Sequence, residues 1–173
     1  MKESSPSVRL RDSILACLLV AASTFGTAAL ATPPVGVLQA PVVARGSFTN
    51  STDVKFKIKD GKEEVIQVSG TRQTLVQQIL ISPGGTFGWH SHPGPVVVVV
   101  QKGELTFYDG DDPTCTAVVY RKGDVFIDRG QGHVHFAANA SATTDLELWA
   151  TYFDVPVGAA QRIDAPSPGN CPF

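Results

Sequence analysis

Residues 84–103 read GGTFGWHSHPGPVVVVVQKG. Two histidines one residue apart pass through a Pro-Gly-Pro turn into five consecutive valines. Side chains at i and i+2 of an extended chain point to one face, so His90 and His92 present two imidazoles side by side. The β-branched run that follows favours a strand. Valines 96 to 100 show no alternation of polar and apolar residues, which predicts a strand covered on both faces or set at a tight subunit contact.

Working outward, the same strand-and-turn grammar continues. Val54-Lys55-Phe56-Lys57-Ile58-Lys59 alternates apolar and charged residues, Asp60-Gly61 marks a tight turn, and Glu64-Val65-Ile66-Gln67-Val68 answers it, which is a hairpin signature. Further strands are expected over 74–81, 96–101, 105–108, 117–120, 125–127, 133–136 and 146–153. They are punctuated by Pro83-Gly84-Gly85, Lys102-Gly103, Asp109-Gly110, Lys122-Gly123 and Gly130 to Gly132. Downstream of the N-terminal segment no stretch sustains a helical stripe, and 16 Gly with 12 Pro suit many tight turns. The fold class is therefore all-β, a jelly roll or small barrel whose interior can hold a ligand.

The ends read differently. Lys2, Arg9 and Arg11 precede an apolar run from Ile14 to Ala22, and Ala29-Leu30-Ala31 precedes Thr32-Pro33-Pro34, the layout of a cleavable signal peptide over residues 1–31. The run is shorter than the roughly 20 residues a membrane-spanning helix needs. Residues 32–46 read as a linker or extended arm, 47–157 as the barrel, and 158–173 as an irregular tail. The expectation is a single-domain protein, periplasmic or secreted, with no membrane attachment after cleavage. Beyond Cys17 the chain holds two cysteines, Cys115 and Cys171, and in an exported protein such a pair is expected to form a disulfide. Asn50-Ser51-Thr52 and Asn139-Ala140-Ser141 match the glycosylation sequon. With 14 Lys+Arg against 16 Asp+Glu and a net charge of -2, no basic stripe suits phosphates, so nucleic acid is not an expected partner.

The chain has four histidines, and all of them fall into two H-x-H pairs, His90/His92 and His133/His135. Neutral imidazoles converging from separate elements suit Zn, Fe, Cu or Ni. The alternative is a set of hydrogen-bonded core histidines, or histidines that bind a ligand directly. Acyl-transfer and phosphoryl-transfer chemistry have no evident residues: G-x-S-x-G, a phosphate loop and C-x-x-C are absent.

The segment Gly84-x5-His90-x-His92-x3-Val96-x6-Gly103 is similar to the first cupin motif, G-x5-H-x-H-x3-4-E-x6-G. Gly123 to Asn139 resembles the second, G-x5-P-x-G-x2-H-x3-N. The resemblance implies a cupin-type jelly-roll β-barrel that holds a divalent transition metal (Fe, Mn, Zn, Ni or Cu) through His90, His92 and His135, with His133 as a fourth ligand or a hydrogen-bonding neighbour. Two registers of the second motif are open: His135 keeps the asparagine at Asn139, while His133 keeps Gly130 as the motif glycine. At the glutamate position stands Val96, and Glu104 and Glu147 are the nearest replacement carboxylates. The resemblance also implies a small-molecule ligand and a homodimer contact through the valine strand. Three neutral ligands leave open positions and the ion's full charge for an oxygen-rich substrate, so the expected activity is that of a metal-dependent, dioxygenase-like oxidoreductase; the alternative is a non-catalytic metal- or ligand-binding module. Because the ligands must be neutral, metal release is expected as pH falls through roughly 6, near the free-histidine pKa of about 6.5.

Overall fold

The structure is a computed structural model of the chain and describes residue 1, residues 30–60 and residues 62–173. The expected signal peptide lies almost wholly outside the described residues, as does Gly61 of the expected hairpin turn. Among the described residues there is no helix. The strands are β1 (Val35–Gln39), β2 (Val42–Ser47), β3 (Val54–Asp60), β4 (Lys62–Val68), β5 (Gln73–Ser91), β6 (Val96–Lys102), β7 (Glu104–Asp109), β8 (Val118–Arg121), β9 (Val125–Asp128), β10 (His135–Ala138), β11 (Leu146–Val155) and β12 (Ile163–Asp164). One sheet runs in the order β8-β7-β10-β5-β11-β6-β9, with β1, β2 and β12 also paired to β5; β3 and β4 form a separate hairpin. Curled on itself, the large sheet makes a nearly closed all-β barrel, as expected from the strand spacing.

The long strand β5 organises this barrel. Its first part pairs with β11 through Leu146↔Ile81 to Val155↔Gln73, and its last part pairs with β10 through His135↔His90 and Phe136↔Trp89. Between them lies Pro83-Gly84-Gly85, which the sequence presents as a turn. In the structure the chain bends there and stays extended, so one strand serves both walls of the barrel; bulges and bends are the usual device by which a strand changes sheets.

Alternation of burial, invisible in five identical residues, appears in β6. Val96, Val98 and Val100 point inward and are 1%, 8% and 0% exposed, packed with Leu75, Ile79, Ile81, Leu148 and Ala150. Val97 and Val99 lie on the outer face, only partly buried, with Val99 opposite Trp149. Each inward valine contributes on the order of 1.5–3 kcal/mol through burial.

Both chain ends are laid onto the barrel. The arm expected over 32–46 contains β1 and β2, paired along β5. The tail contributes β12, where Ile163 pairs with Ser91 and Asp164 with His90. Cys115, in the loop after β7, and Cys171 form a disulfide with Cα atoms 5.2 Å apart. Cys171 packs with Trp89 and Ala165 in a second small core, so the tail is fastened over the end of the barrel that carries His90.

Candidate metal centre and cavity

Three elements bring the histidines together. His90 sits near the end of β5 and His135 opens β10 directly opposite it, so the ladder itself sets two imidazoles face to face. His92 follows two residues after His90 on the same side. The ring centroids of His90 and His135 are 4.3 Å apart, those of His90 and His92 5.0 Å, and those of His92 and His135 5.2 Å. All three side chains are buried, and one ring nitrogen from each lies within 4.8 Å of the others.

Their outer nitrogens are anchored by backbone. His90 Nδ1 hydrogen-bonds the Gly88 carbonyl at 2.9 Å, and His92 Nδ1 the Gln161 carbonyl at 2.7 Å. A carbonyl can only accept, so each Nδ1 carries the proton and each Nε2 keeps its lone pair, the orientation of a metal-ligating histidine. Burial, and then the facing imidazoles of His135 and His92, push the His90 pKa well below its ordinary value. Burial likewise lowers His92 and takes His135 to about 4. Burial thus favours the neutral form of all three rings, which moves acid release of a bound metal to lower pH than free histidine would give.

The sequence reading missed Asp128. It ends β9 directly across from Val96 of β6 and is 4% exposed. Its Oδ2 lies 3.6 Å from both His92 Nε2 and His135 Nδ1 and has no hydrogen-bond partner; neither does His135 Nδ1. Burial alone would raise this carboxyl. The imidazoles of His135, His133 and His92 and the Gly130 N–H outweigh that and hold it below the usual carboxylate range. Donor atoms at roughly 2.0–2.2 Å from one tetrahedral ion stand about 3.3–3.6 Å apart. Two contacts of Asp128 Oδ2, to His92 Nε2 and to His135 Nδ1, have that spacing, but Asp128 groups with His133 and His135 and not with the three histidines together; it is an unpartnered buried carboxylate oxygen beside their site.

His133 takes a different place from the other three. It precedes β10, and its ring lies beyond Asp128, with Nδ1 3.5 Å from Asp128 Oδ1 and Nε2 2.8 Å from Asp109 Oδ1. Burial works to lower its pKa, but the Asp128 and Asp109 carboxylates outweigh burial and raise it. His133 thus backs the carboxylate and stands apart from the group formed by His90, His92 and His135. Glu104 is exposed and pairs with Arg121, while Glu147 accepts from Gln78 and Trp149. Neither reaches the histidines.

The motif asparagine, Asn139, is 1% exposed; its amide donates to the carbonyls of Ile81, Ser82 and Thr144. It pins the β5 bend, and its burial bars the second sequon from glycosylation in the folded chain. The histidines and Asp128 open into a cavity of about 130 Å³, lined mainly by apolar side chains such as Val98, Phe107 and Phe126. Its other polar groups are Gln77, Tyr152, Gln161 and Arg162. Tyr152 donates to Gln77 Oε1 at 2.9 Å, and burial raises its pKa, so it stays a neutral phenol.

The family model described as Cupin domain matches residues 78–152. Similar solved structures include a cupin-like protein from Thermotoga maritima, with 26% identity over 54% of this chain and 65% of that one and a TM-score of 0.44. An oxalate oxidase shows 24% identity over 52% of this chain and 45% of its own, with a TM-score of 0.43. The polyketide cyclase RemF from Streptomyces resistomycificus shows 14% identity over 45% and 52%, with a TM-score of 0.40. This chain spans less than two thirds of the length of each of them. No curated protein matches the sequence.

Proposed function

With residues 78–152 identified as a cupin domain, we propose that this protein is an exported, metal-dependent cupin that binds and oxidises a small oxygen-rich molecule. The observation that carries the reading is the convergence of three buried, neutral imidazoles on one point, with an unpartnered carboxylate oxygen beside them. His90, His92 and His135 would hold the ion, one of Fe, Mn, Zn, Ni or Cu, and Asp128 would offset part of its charge. When bound, such an ion supplies Lewis-acid polarisation or oxygen chemistry at its open positions. The chain's own groups do the rest. The Gly88 and Gln161 carbonyls fix the imidazole orientation, the apolar wall excludes water, and Tyr152 offers a neutral hydroxyl to the cavity. Export is supported by the disulfide. Among the described residues no helix is long and apolar enough to cross a membrane.

Elemental analysis of protein purified without an affinity tag tests the metal reading. One ion per chain is expected, with at least a tenfold loss of affinity in His90→Ala; a trace content indifferent to that substitution contradicts it. Apolar lining and the valine at position 96 favour a second reading, a binding module without turnover. Oxygen uptake that depends on added substrate decides for the enzyme, and ligand binding without uptake decides for the module.

A further inference from the structure

Arg162 is the single Lys or Arg among the residues that line the cavity. It immediately precedes β12, and the pairing of β12 with Ser91 and His90 brings its guanidinium to the mouth of the histidine site. The neighbouring Gln161 carbonyl holds His92, so metal ligand and cation are set by consecutive residues of the tail. The guanidinium is only partly satisfied. One terminal nitrogen donates to the Phe87 carbonyl and the other pairs with Asp164, but the Nε–H is buried and has no acceptor.

A buried N–H on a permanent cation is costly unless an acceptor meets it. Asp128 and Asp164 set two negative charges against Arg162, so a divalent ion on the histidines leaves the group with one net positive charge, and a monoanion that reaches both ion and guanidinium neutralises it. A carboxylate has the right form: two oxygens in one plane, one for the ion and one for the planar guanidinium fork. A cavity of about 130 Å³ is small beside the 300–1,000 Å³ of typical ligand pockets, which restricts the occupant to a short acid.

We propose that Arg162 anchors the carboxylate of a small organic acid against the metal held by His90, His92 and His135. The proposal rests on the metal reading above and adds the chemical class of the ligand and the residue that selects it.

Calorimetric titration of the zinc-loaded protein with formate, acetate, malonate, inorganic phosphate and the neutral isostere acetamide tests it. The expected result is binding of at least one carboxylate, none of acetamide, and phosphate no tighter than the best carboxylate. Arg162→Gln should weaken carboxylate binding tenfold or more while zinc affinity changes less than threefold, and Arg162→Lys should recover part of the loss. Asp164→Asn, which removes a competing negative charge, should leave carboxylate binding equal or tighter; a merely structural Arg162–Asp164 pair would make this variant lose binding too. Equal carboxylate affinity in Arg162→Gln, tighter binding of phosphate, or no carboxylate binding to either metal-free or zinc-loaded protein overturns the proposal. Failure of zinc to bind sinks the metal reading separately, and carboxylate binding by metal-free protein that Arg162→Gln abolishes still upholds the anchor.

Discussion

Asp128 and Val96 stand across from each other on β9 and β6, so the barrel carries its buried carboxylate one strand away from the position the motif reserves for it. Asp128→Asn should keep the shape of the side chain, remove its charge, and weaken metal affinity roughly 10- to 100-fold. Adding Val96→Glu to that variant should restore a large part of the loss, read as a competition titration against a chelator of known strength. A double variant no better than Asp128→Asn would show that Asp128 acts by orienting His135 and His92 and not by facing the ion. At this scale the sequence was informative wherever spacing within one strand decides geometry. His90 and His92 are two apart on an extended chain, and their shared face follows. Asp128 was not legible, because its nearness to His92 depends on the β6–β9 register, which no local pattern in a run of identical valines specifies. His133, expected as a fourth ligand or a hydrogen-bonding neighbour, precedes β10, which begins at His135, and its ring meets Asp109 and Asp128.

Among the elements, the loop between β9 and β10 and the Pro93-Gly94-Pro95 turn before β6 meet at Gly130. Its φ is +61°, and a Cβ there would lie 1.8 Å from the Gly94 carbonyl oxygen. Gly130 also donates its N–H to Asp128 Oδ1 at 3.2 Å. Gly130→Ala should therefore cost about 2–4 kcal/mol of stability and weaken metal binding by displacing Asp128 and His92. Gly132→Ala is the control. Its φ of +84° also disfavours a side chain, but a Cβ there meets open space, so a loss of only about 1 kcal/mol is expected, with metal affinity unchanged; urea unfolding and metal titration read both. The sequence placed most strands within a residue or two because Gly-containing turns separate β-branched and aromatic runs. It ended the strand at Ile81, before Pro83-Gly84-Gly85, where β5 runs on to Ser91, since composition alone does not distinguish a reversal from a bend. That distinction is made by long-range partners: Gly84 donates to the Asn139 carbonyl, Asn139 donates to that of Gly85, and the Asn139 amide holds Ile81 and Ser82.

For the whole molecule, burying three imidazoles in an apolar barrel ties stability to pH. In the metal-free protein the folded pKa values of His90, His92 and His135 lie below the unfolded value of about 6.5, that of His135 at about 4. Below pH 6.5 the unfolded chain then binds more protons than the folded one, so stability should fall as pH drops from about 6.5 toward 4. His135 alone contributes roughly 3 kcal/mol across this window. His133, whose pKa is raised, works in the opposite sense: it favours the folded state on the acidic side and offsets part of the loss. Urea midpoints measured at intervals from pH 7.5 to 4.5 check the balance, and a flat profile would contradict neutral burial of the three rings. Saturating metal should steepen the acid side, because protons and ion compete for the same lone pairs. The fastening of the tail has a consequence of its own. Closing the 56-residue span between Cys115 and Cys171 restricts the unfolded chain by roughly 4 kcal/mol, and it ties the loop between β7 and β8 to the tail that carries β12. In the tail it adds to the β12 pairing and to the Ala165–Trp89 backbone bond, which already seat residues 161 and 162. Reduction of the disulfide should therefore be read first as faster hydrogen exchange in the tail, with the central strands of the barrel exchanging later.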